Sequence, residues 1–120
     1  MKERRAIDYL NDMQKAASEA LSFIGRMDEA AFAEDQLTFK AVAFCHFTIG
    51  AAASRLLVTH PEFATEHPGL PWTKICGTGN RILDDVFDLD PSDIWEATYR
   101  TLPELLREID AVRNWHAQGE

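Results

Sequence analysis

The residues best suited to chemistry lie in one short stretch, residues 75–90, with the sequence ICGTGNRILDDVFDLD. It combines an amide and a guanidinium, at Asn80 and Arg81, with the neighbouring carboxylates of Asp84 and Asp85. A guanidinium binds phosphate oxygens through a planar fork of donors, and carboxylates move protons or hold hard cations. The stretch is our candidate site because these polar groups interrupt what would otherwise be a core helix.

An acidic run in and just after the stretch offers a second chemistry. Its carboxylates belong to Asp84, Asp85, Asp88, Asp90 and Asp93. Oxygen ligands of this type suit Mg²⁺ or Mn²⁺, so one hypothesis is metal-dependent cleavage of phosphodiesters. The other interpretation is a solvated helix end with aspartates in a turn and at a helix N-terminus. We favour the second interpretation and predict no metal site.

The cysteines and histidines do not form a metal or disulfide pattern. Cys45 and Cys76 lie inside apolar helical patterns and are predicted to be reduced thiols. His46 lies on an apolar helix face, which is typical of a hydrogen-bonded core residue. The other histidines have no ligand at metal spacing. They are His60, His67 and His116. No cofactor is predicted.

Four helical segments must position these residues. Apolar residues recur at steps of three and four over about residues 2–27, which indicates an amphipathic first helix. Further helices are predicted over about residues 37–59, 73–86 and 94–115. No stretch alternates as a strand does. We therefore predict an all-α antiparallel bundle of four or five helices, as a single domain over residues 1–120.

The connections between these helices differ in kind. The first should contain one helical turn whose Phe32 fills an end of the bundle. Residues 60–72 carry three prolines and are predicted to be a loop, with Thr73 as the N-cap of the next helix. Pro103 lies inside the last helical pattern, where it should kink the helix or divide it before Glu104.

The second helix is apolar on nearly all sides. One face carries Phe39, Val42, Ala43, Ile49, Ala53 and Leu56, and another carries Phe44, Phe47, Ala51 and Val58. A helix of this kind is either central to its own fold or half buried against another chain. We predict a homodimer contact through Phe44, Phe47 and Ala51, with a fully buried central helix as the alternative.

Composition and charge limit the partners and the location. The formal net charge of −8 opposes binding to the phosphate backbone of RNA, since that binding depends on Lys and Arg. A basic partner surface, or a local basic patch, fits this charge better. The apolar stretch Ala41–Ala53 is interrupted by polar residues and is too short to span a bilayer. Charged residues in MKERRAIDYLNDM stand where a signal peptide is apolar, so we expect a cytoplasmic protein.

The order of helices and several short sequence segments resemble the HepT-like branch of the HEPN superfamily along nearly the whole chain. The segments are RRAIDYLNDMQKAA, AVAFCHFTIGAAASRL, HPEF, PW, GTGNRILDDVFDLD and DIWEATYRTLPELL. The resemblance implies a HEPN-like helical-bundle dimer that acts as a ribonuclease toxin. It also implies a minimal nucleotidyltransferase as antitoxin, which adenylylates a tyrosine near the active site.

The active motif of that family is Arg, four residues, His, one residue and Tyr. The Arg would neutralise the scissile phosphate, and the His would move a proton in metal-free cleavage through the ribose 2′-hydroxyl. The matching positions in this chain are Gly79, Asp84 and Val86, so all three functional groups are absent. Arg81 lies two residues from the Arg position, about 200° around a helix.

These substitutions predict that the ribonuclease chemistry has been lost. The chain would act as a dimeric binding partner of a nucleotidyltransferase-like protein or of an active relative. Asn80, Arg81 and Asp85 would hold helix ends or a partner. The alternative hypothesis is an active ribonuclease with altered, metal-dependent chemistry of the acidic run.

Overall fold

Helices account for the regular structure of the described part of the chain. The computed structural model describes the backbone of residues 3–119 and the side chains of residues 3–116. The helices are α1 (Ala6–Ile24), α2 (Glu29–Glu34), α3 (Gln36–Thr59), α4 (Pro61–Glu66), α5 (Trp72–Asp84), α6 (Pro91–Glu96) and α7 (Leu102–Gly119). A π-helical segment, Ala97–Thr101, joins α6 to α7. The predicted all-α bundle is confirmed, with four long helices (α1, α3, α5 and α7) and three short ones (α2, α4 and α6) in this range.

α3 is the central helix, because α1 packs along one side of it and α5 along another. The start of α1 meets the end of α3 through the rings of Tyr9 and His60, whose centroids are 6.4 Å apart. These two helices therefore run antiparallel. α7 also lies along α1, where the Arg113 guanidinium donates to Gln14 Oε1 at 2.8 Å.

The core lies between the long helices. The predicted core face of α3 is confirmed, since its members are all buried: Phe39, Val42, Ala43, Ile49, Ala53 and Leu56. α1 adds Leu10 and Met13, while α7 adds Leu105 and Ile109. Burying one large apolar side chain stabilises a fold by about 1.5–3 kcal/mol relative to leaving it exposed.

The first connection behaves as predicted. It forms the single short helix α2, whose N-terminus is capped by Asp28 accepting from the Ala31 N–H at 2.8 Å. Phe32 on α2 is fully buried, with its ring centroid 5.9 Å from that of Phe39 and 5.5 Å from that of Trp95. Phe32 therefore fills this end of the bundle.

The prediction that residues 60–72 contain no helix was wrong, because Pro61 begins α4. Proline suits the first helical position, where its missing N–H has no intrahelical partner and its fixed φ matches the helix. Thr73 is not the N-cap of α5, which begins at Trp72. The Trp72 indole N–H instead donates to the His67 carbonyl at 3.1 Å and fastens the connection to the helix.

The last helical pattern is interrupted near Pro103, by the π-helical segment that ends two residues before it, and α7 begins at Leu102 rather than at Glu104. The Leu102 N–H donates to the carbonyl of Ala97, five residues back. A proline within an α-helix removes one N–H and crowds the carbonyl four residues earlier. The wider π turn changes the hydrogen-bond pattern at the position where that conflict would arise.

α3 is long and apolar enough, by length and composition, to cross a membrane, with a mean hydropathy of 1.6 in its most apolar part. The sequence argument from Ala41–Ala53 alone understated this length. Half of that part of α3 is buried inside the fold. A core helix of a soluble protein passes the same test of length and composition.

Candidate functional site

α5 and the turn after it hold most of the candidate stretch. α5 runs antiparallel to α3, because Cys76 lies beside Ser54 while Gly79, later in α5, lies beside Gly50, earlier in α3. The Ser54 hydroxyl donates to Cys76 Sγ at 3.6 Å. A Cβ built on Gly50 would lie 3.0 Å from Gly79 Cα, so the two helix backbones are in direct contact.

Gly79, at the position of the motif arginine, is a buried packing residue. A Cβ built on it would lie 3.1 Å from Gly50 Cα. A Cβ on Gly50 would also lie 3.1 Å from the Ile75 carbonyl oxygen. These neighbours are backbone atoms, which move only if the helices separate. Gly79 therefore has no room for a side chain unless α3 and α5 move apart.

The motif histidine and tyrosine positions lie at the exposed end of α5. Asp84 is the last residue of the helix, and Val86 is 57% exposed in the turn that follows. The Asp85 N–H donates to the Arg81 carbonyl at 2.9 Å and closes the helix. Neither Asp84 nor Val86 supplies an imidazole or a phenol.

Arg81 points its charge away from the motif position and toward α6. Its Nη1 lies 3.3 Å from Asp93 Oδ2, and both side chains are more than half exposed. An exposed pair of this kind stabilises by at most about 1 kcal/mol. Asn80 is exposed beside it.

The aspartates of the acidic run do not converge on a point. Asp90 caps α6 by accepting from the Ser92 N–H at 2.9 Å, Asp93 pairs with Arg81, and Asp85 ends α5. Among the described residues, no group of three or more His, Cys, Asp and Glu side chains is arranged to hold a metal ion. The geometry is that of turn and cap residues, which disfavours the metal-dependent alternative.

An apolar groove of about 820 Å³ lies beside the motif positions, between the first half of α3 and the end of α5. Its apolar lining comprises Phe39, Ala43, Phe44, Phe47, Ile82, Leu83, Val86, Phe87, Leu89 and Pro91. Phe44 is 67% exposed and Phe87 is 95% exposed. The Phe44 and Phe47 rings stack with centroids 6.4 Å apart. We refer to this feature as the apolar groove.

The structure brings two of the three predicted interface residues together. Phe44 and Phe47 line the apolar groove, whereas Ala51 is exposed on α3 outside it. Sequence reasoning missed Leu83 and Phe87. Their signal was a second apolar edge at helical spacing around Val86, on the side of α5 that faces away from the core.

His46 is a core residue, as predicted, and takes no part in the groove. It is 3% exposed, and its Nε2 lies 2.8 Å from Thr98 Oγ1. Because the Thr98 hydroxyl donates to the Ile94 carbonyl at 2.7 Å, the imidazole N–H is the donor to that hydroxyl oxygen. Burial lowers the pKa of His46 to about 4 and keeps the ring neutral.

Both cysteines are free thiols, as predicted. Cys45 is buried, and burial raises the pKa of its thiol, which makes the reactive thiolate scarce. Cys76 is half-buried beside Ser54.

Comparison with known proteins places the chain among ribonuclease-like sequences. The profile of the family described as "Ribonuclease HepT-like" matches residues 13–112. "Putative RNase MJ1380" of Methanocaldococcus jannaschii is 22% identical over 93% of this chain and 100% of its own length. "Putative RNase MJ0125" of the same organism is 21% identical over 93% of this chain and 94% of its own length. "Putative RNase TTE0752" of Caldanaerobacter subterraneus subsp. tengcongensis is 26% identical over 68% of this chain and 70% of its own length. No solved structure matches significantly.

Proposed function

The chain belongs to the HepT-like ribonuclease family, and we propose that it is a member that keeps the fold and binds protein partners but does not cleave RNA. The contact between Gly79 and Gly50 carries this proposal. Even a Cβ at Gly79 would lie 3.1 Å from Gly50 Cα, at the position where the motif needs a long cationic side chain. The close spacing of α3 and α5 therefore excludes the motif arginine, and a single substitution at Gly79 would not restore ribonuclease activity.

The remaining groups near the motif positions supply no replacement chemistry. Metal-free cleavage through a 2′-hydroxyl needs a cation at the phosphate and a group that transfers a proton. Asp84 would repel the phosphate, and Arg81 is paired with Asp93. His46 is buried, neutral and hydrogen-bonded to Thr98, so it neither reaches a substrate nor takes up a proton near pH 7.

The apolar groove supports a binding role. Phe44, Phe87 and Leu83 are each more than half exposed in one copy of the chain. A contiguous exposed apolar surface of this kind marks an interaction site. A second copy of the chain is the proposed occupant, in agreement with the dimers that the family resemblance implies. A nucleotidyltransferase-like protein is the proposed further partner, and the cytoplasm the proposed location.

The inactivity is tested by incubating the purified chain with structured and unstructured RNA in EDTA, beside a HepT-like protein whose Arg, His and Tyr are intact. We expect cleavage by the intact relative alone. Cleavage by the native chain, at sites that a separately prepared Arg81→Met variant no longer cuts, would overturn the proposal. The paired variant excludes a contaminating nuclease, whose activity would be the same in both preparations.

The metal-dependent alternative is tested by titrating Mg²⁺ and Mn²⁺ into the protein in a calorimeter and repeating the RNA assay with each ion. We expect no binding heat at millimolar metal, because the aspartates do not converge. Metal-dependent cleavage that is lost in Asp84→Asn but kept in Asp110→Asn would establish the alternative instead. Asp110 is an exposed aspartate of α7, outside the acidic run.

A further inference from the structure

A second cleft lies at the far end of the molecule from the apolar groove. It has a volume of about 550 Å³ and lies between the start of α1, the short helix α4 and the last part of α7. Its lining includes three basic side chains, Arg5, Arg113 and His116, and an apolar floor that includes Leu10 and Phe63. We refer to it as the basic cleft. Its volume falls in the range of small-ligand sites.

Arg113 carries a charge that no carboxylate of the described residues balances. Its guanidinium donates to the neutral side-chain oxygens of Asn11 and Gln14. None of the ion pairs within residues 3–116 involves it. A half-buried guanidinium is costly unless it meets an anion, so this arrangement leaves a position for one.

Two buried polar atoms at this end of the molecule have no hydrogen-bond partner among the described residues. They are Arg113 Nε and His67 Nε2, and no other buried side-chain nitrogen or oxygen in that part of the chain is in this condition. His67 is 8% exposed, and its ring centroid lies 4.5 Å from that of Phe63 and 5.2 Å from that of His116. Folded proteins leave few such atoms. Arg113 lines the basic cleft, whereas His67 lines a neighbouring pocket and meets the cleft only through the rings of Phe63 and His116.

The cleft also has an aromatic wall. The rings of Phe63 and His116 are nearly parallel, 9° apart in orientation, with centroids separated by 6.2 Å. Trp72 meets Phe63 edge to face at 6.3 Å and supports it from behind. Phe63 is buried and supports the half-buried ring of His116, and an aromatic ring of this kind is a surface on which a flat base stacks.

The positive charge of the cleft suits a ligand that carries more than one negative charge. Arg5 is 79% exposed at the mouth and forms an ion pair with Asp8 at 3.7 Å. An exposed pair of this length stabilises by at most about 1 kcal/mol, so a phosphate can displace it. Arg5 and Arg113 together match a phosphate monoester, which carries about −1.5 to −2 near pH 7, better than a single carboxylate. Guanidinium groups bind phosphate oxygens in pairs. The local charge here is opposite in sign to the net charge of −8.

We propose that the basic cleft binds a nucleotide through its phosphate and base. Arg113 and Arg5 hold the phosphate, and the base lies against the half-buried ring of His116, which Phe63 supports. A free mononucleotide and the terminal nucleotide of an RNA strand present the same chemistry. The site is independent of the motif positions, so its occupancy does not depend on whether the chain cuts RNA.

The experiment is a calorimetric titration of the full chain with adenosine 5′-monophosphate, adenosine and inorganic phosphate. We expect the monophosphate to bind at least tenfold more tightly than either fragment. A short oligoribonucleotide with and without a 5′-phosphate forms the second arm. Tighter binding of the phosphorylated strand than of the mononucleotide assigns the site to strand ends, and the reverse order assigns it to free nucleotides.

Two variants test the assigned side chains. Arg113→Met and Arg5→Met should each weaken binding of the monophosphate at least tenfold, while Arg100→Met should not. Arg100 is a matched control because it is exposed, paired with Glu96 at 3.1 Å and absent from the cleft. Arg5 is largely exposed, so its variant remains informative even if Arg113→Met fails to fold.

Three results would overturn the nucleotide proposal. They are no binding at millimolar monophosphate, equal affinity for adenosine and the monophosphate, and unchanged affinity in Arg5→Met. None of these results bears on RNA cleavage, so the failure of this proposal and the failure of the proposed inactivity are distinguishable.

Discussion

The inner and outer faces of α3 both carry large apolar residues but differ in what they contact. On the inner face, Ile49 and Gly50 are buried against neighbouring helices. On the outer face, Phe44 is 67% exposed and Val58 is 82% exposed. One copy of the chain folds around the inner face alone. The apolar character of the outer face is therefore unnecessary for this fold and points to contacts with another chain.

The largest effect is expected from forcing a side chain into the inner contact. Gly79→Arg should lower the free energy of unfolding by about 3 kcal/mol, because overpacking against backbone displaces two helices. Urea denaturation measures this change. Gly77→Arg is the matched control, since a Cβ there meets nothing within 4 Å. Equal unfolding midpoints for the two variants would show that the contact with Gly50 is not tight.

Lowering the pH should also reduce the stability of the fold, through His46 on the inner face of α3. Since the pKa of His46 falls from 6.5 in the unfolded chain to about 4 in the fold, the unfolded chain binds the proton first as the pH is lowered. The neutral ring makes its full contribution to the free energy of unfolding above about pH 6.5. This contribution declines toward pH 4, by up to about 3 kcal/mol. Urea midpoints at pH 7, 5.5 and 4.5 measure it.

The control for the acid effect is His46→Gln, which keeps a side-chain donor for Thr98 but does not titrate. Its stability should fall less steeply between pH 6.5 and pH 4 than that of the native chain. Parallel curves for the two proteins would mean that other groups, such as His67, cause the acid sensitivity. Burial also lowers the pKa of His67.

A smaller effect should separate two glycines of α5. Gly77→Ala should raise the free energy of unfolding by about 0.8 kcal/mol, because alanine is the better helix former and the site is open. Gly79→Ala should lower it, since its methyl group would lie 3.1 Å from Gly50 Cα. Thermal unfolding of both variants measures these changes in stability. If both variants were more stable than the native chain, the two glycines would not differ in packing as we expect.

The smallest effect on the stability of one copy is expected at the outer face. Phe44→Asp should change the free energy of unfolding of the separated chain by about 0.5 kcal/mol or less, as for most exposed sites. It should nevertheless abolish the dimer in light scattering at micromolar concentration. Val58→Asp, on the same face but outside the apolar groove, should leave the dimer intact. A monomeric native chain would contradict the proposed interface.

Periodicity was enough to predict the long helices, because each buries a stripe of apolar residues against the core. It was not enough for α4, since Pro61 was interpreted as a residue that ends a helix although it also suits the first turn. The mixed apolar character of α3 was visible in the sequence. Its exposed face is determined by the packing of α1 and α5 against α3, which the sequence pattern does not contain.

The candidate site was located by polar residues that interrupt an apolar helix and by its resemblance to a known motif, but its packing could not be predicted from the sequence. Gly79 has the same local signal as Gly77, and only the position of Gly50 distinguishes them. Likewise, His46 and Thr98 are 52 residues apart in the chain, and their hydrogen bond requires α3 to lie beside the π-helical segment. Contacts between distant residues depend on the completed bundle, which no local pattern contains.

The π-helical segment sets the rotational phase of α7. Its wider turn accommodates a residue that continuous α-helical pairing would not. Because the extra residue is absorbed in one wider turn, deleting one exposed residue from Ala97–Thr101 would allow that pairing to resume and would leave Leu105 and Ile109 facing the core. Inserting one residue between Pro103 and Leu105 would instead rotate both side chains by about 100°, out of the core. The π-helical segment should therefore tolerate the loss of a residue better than the straight helix after it tolerates the gain of one.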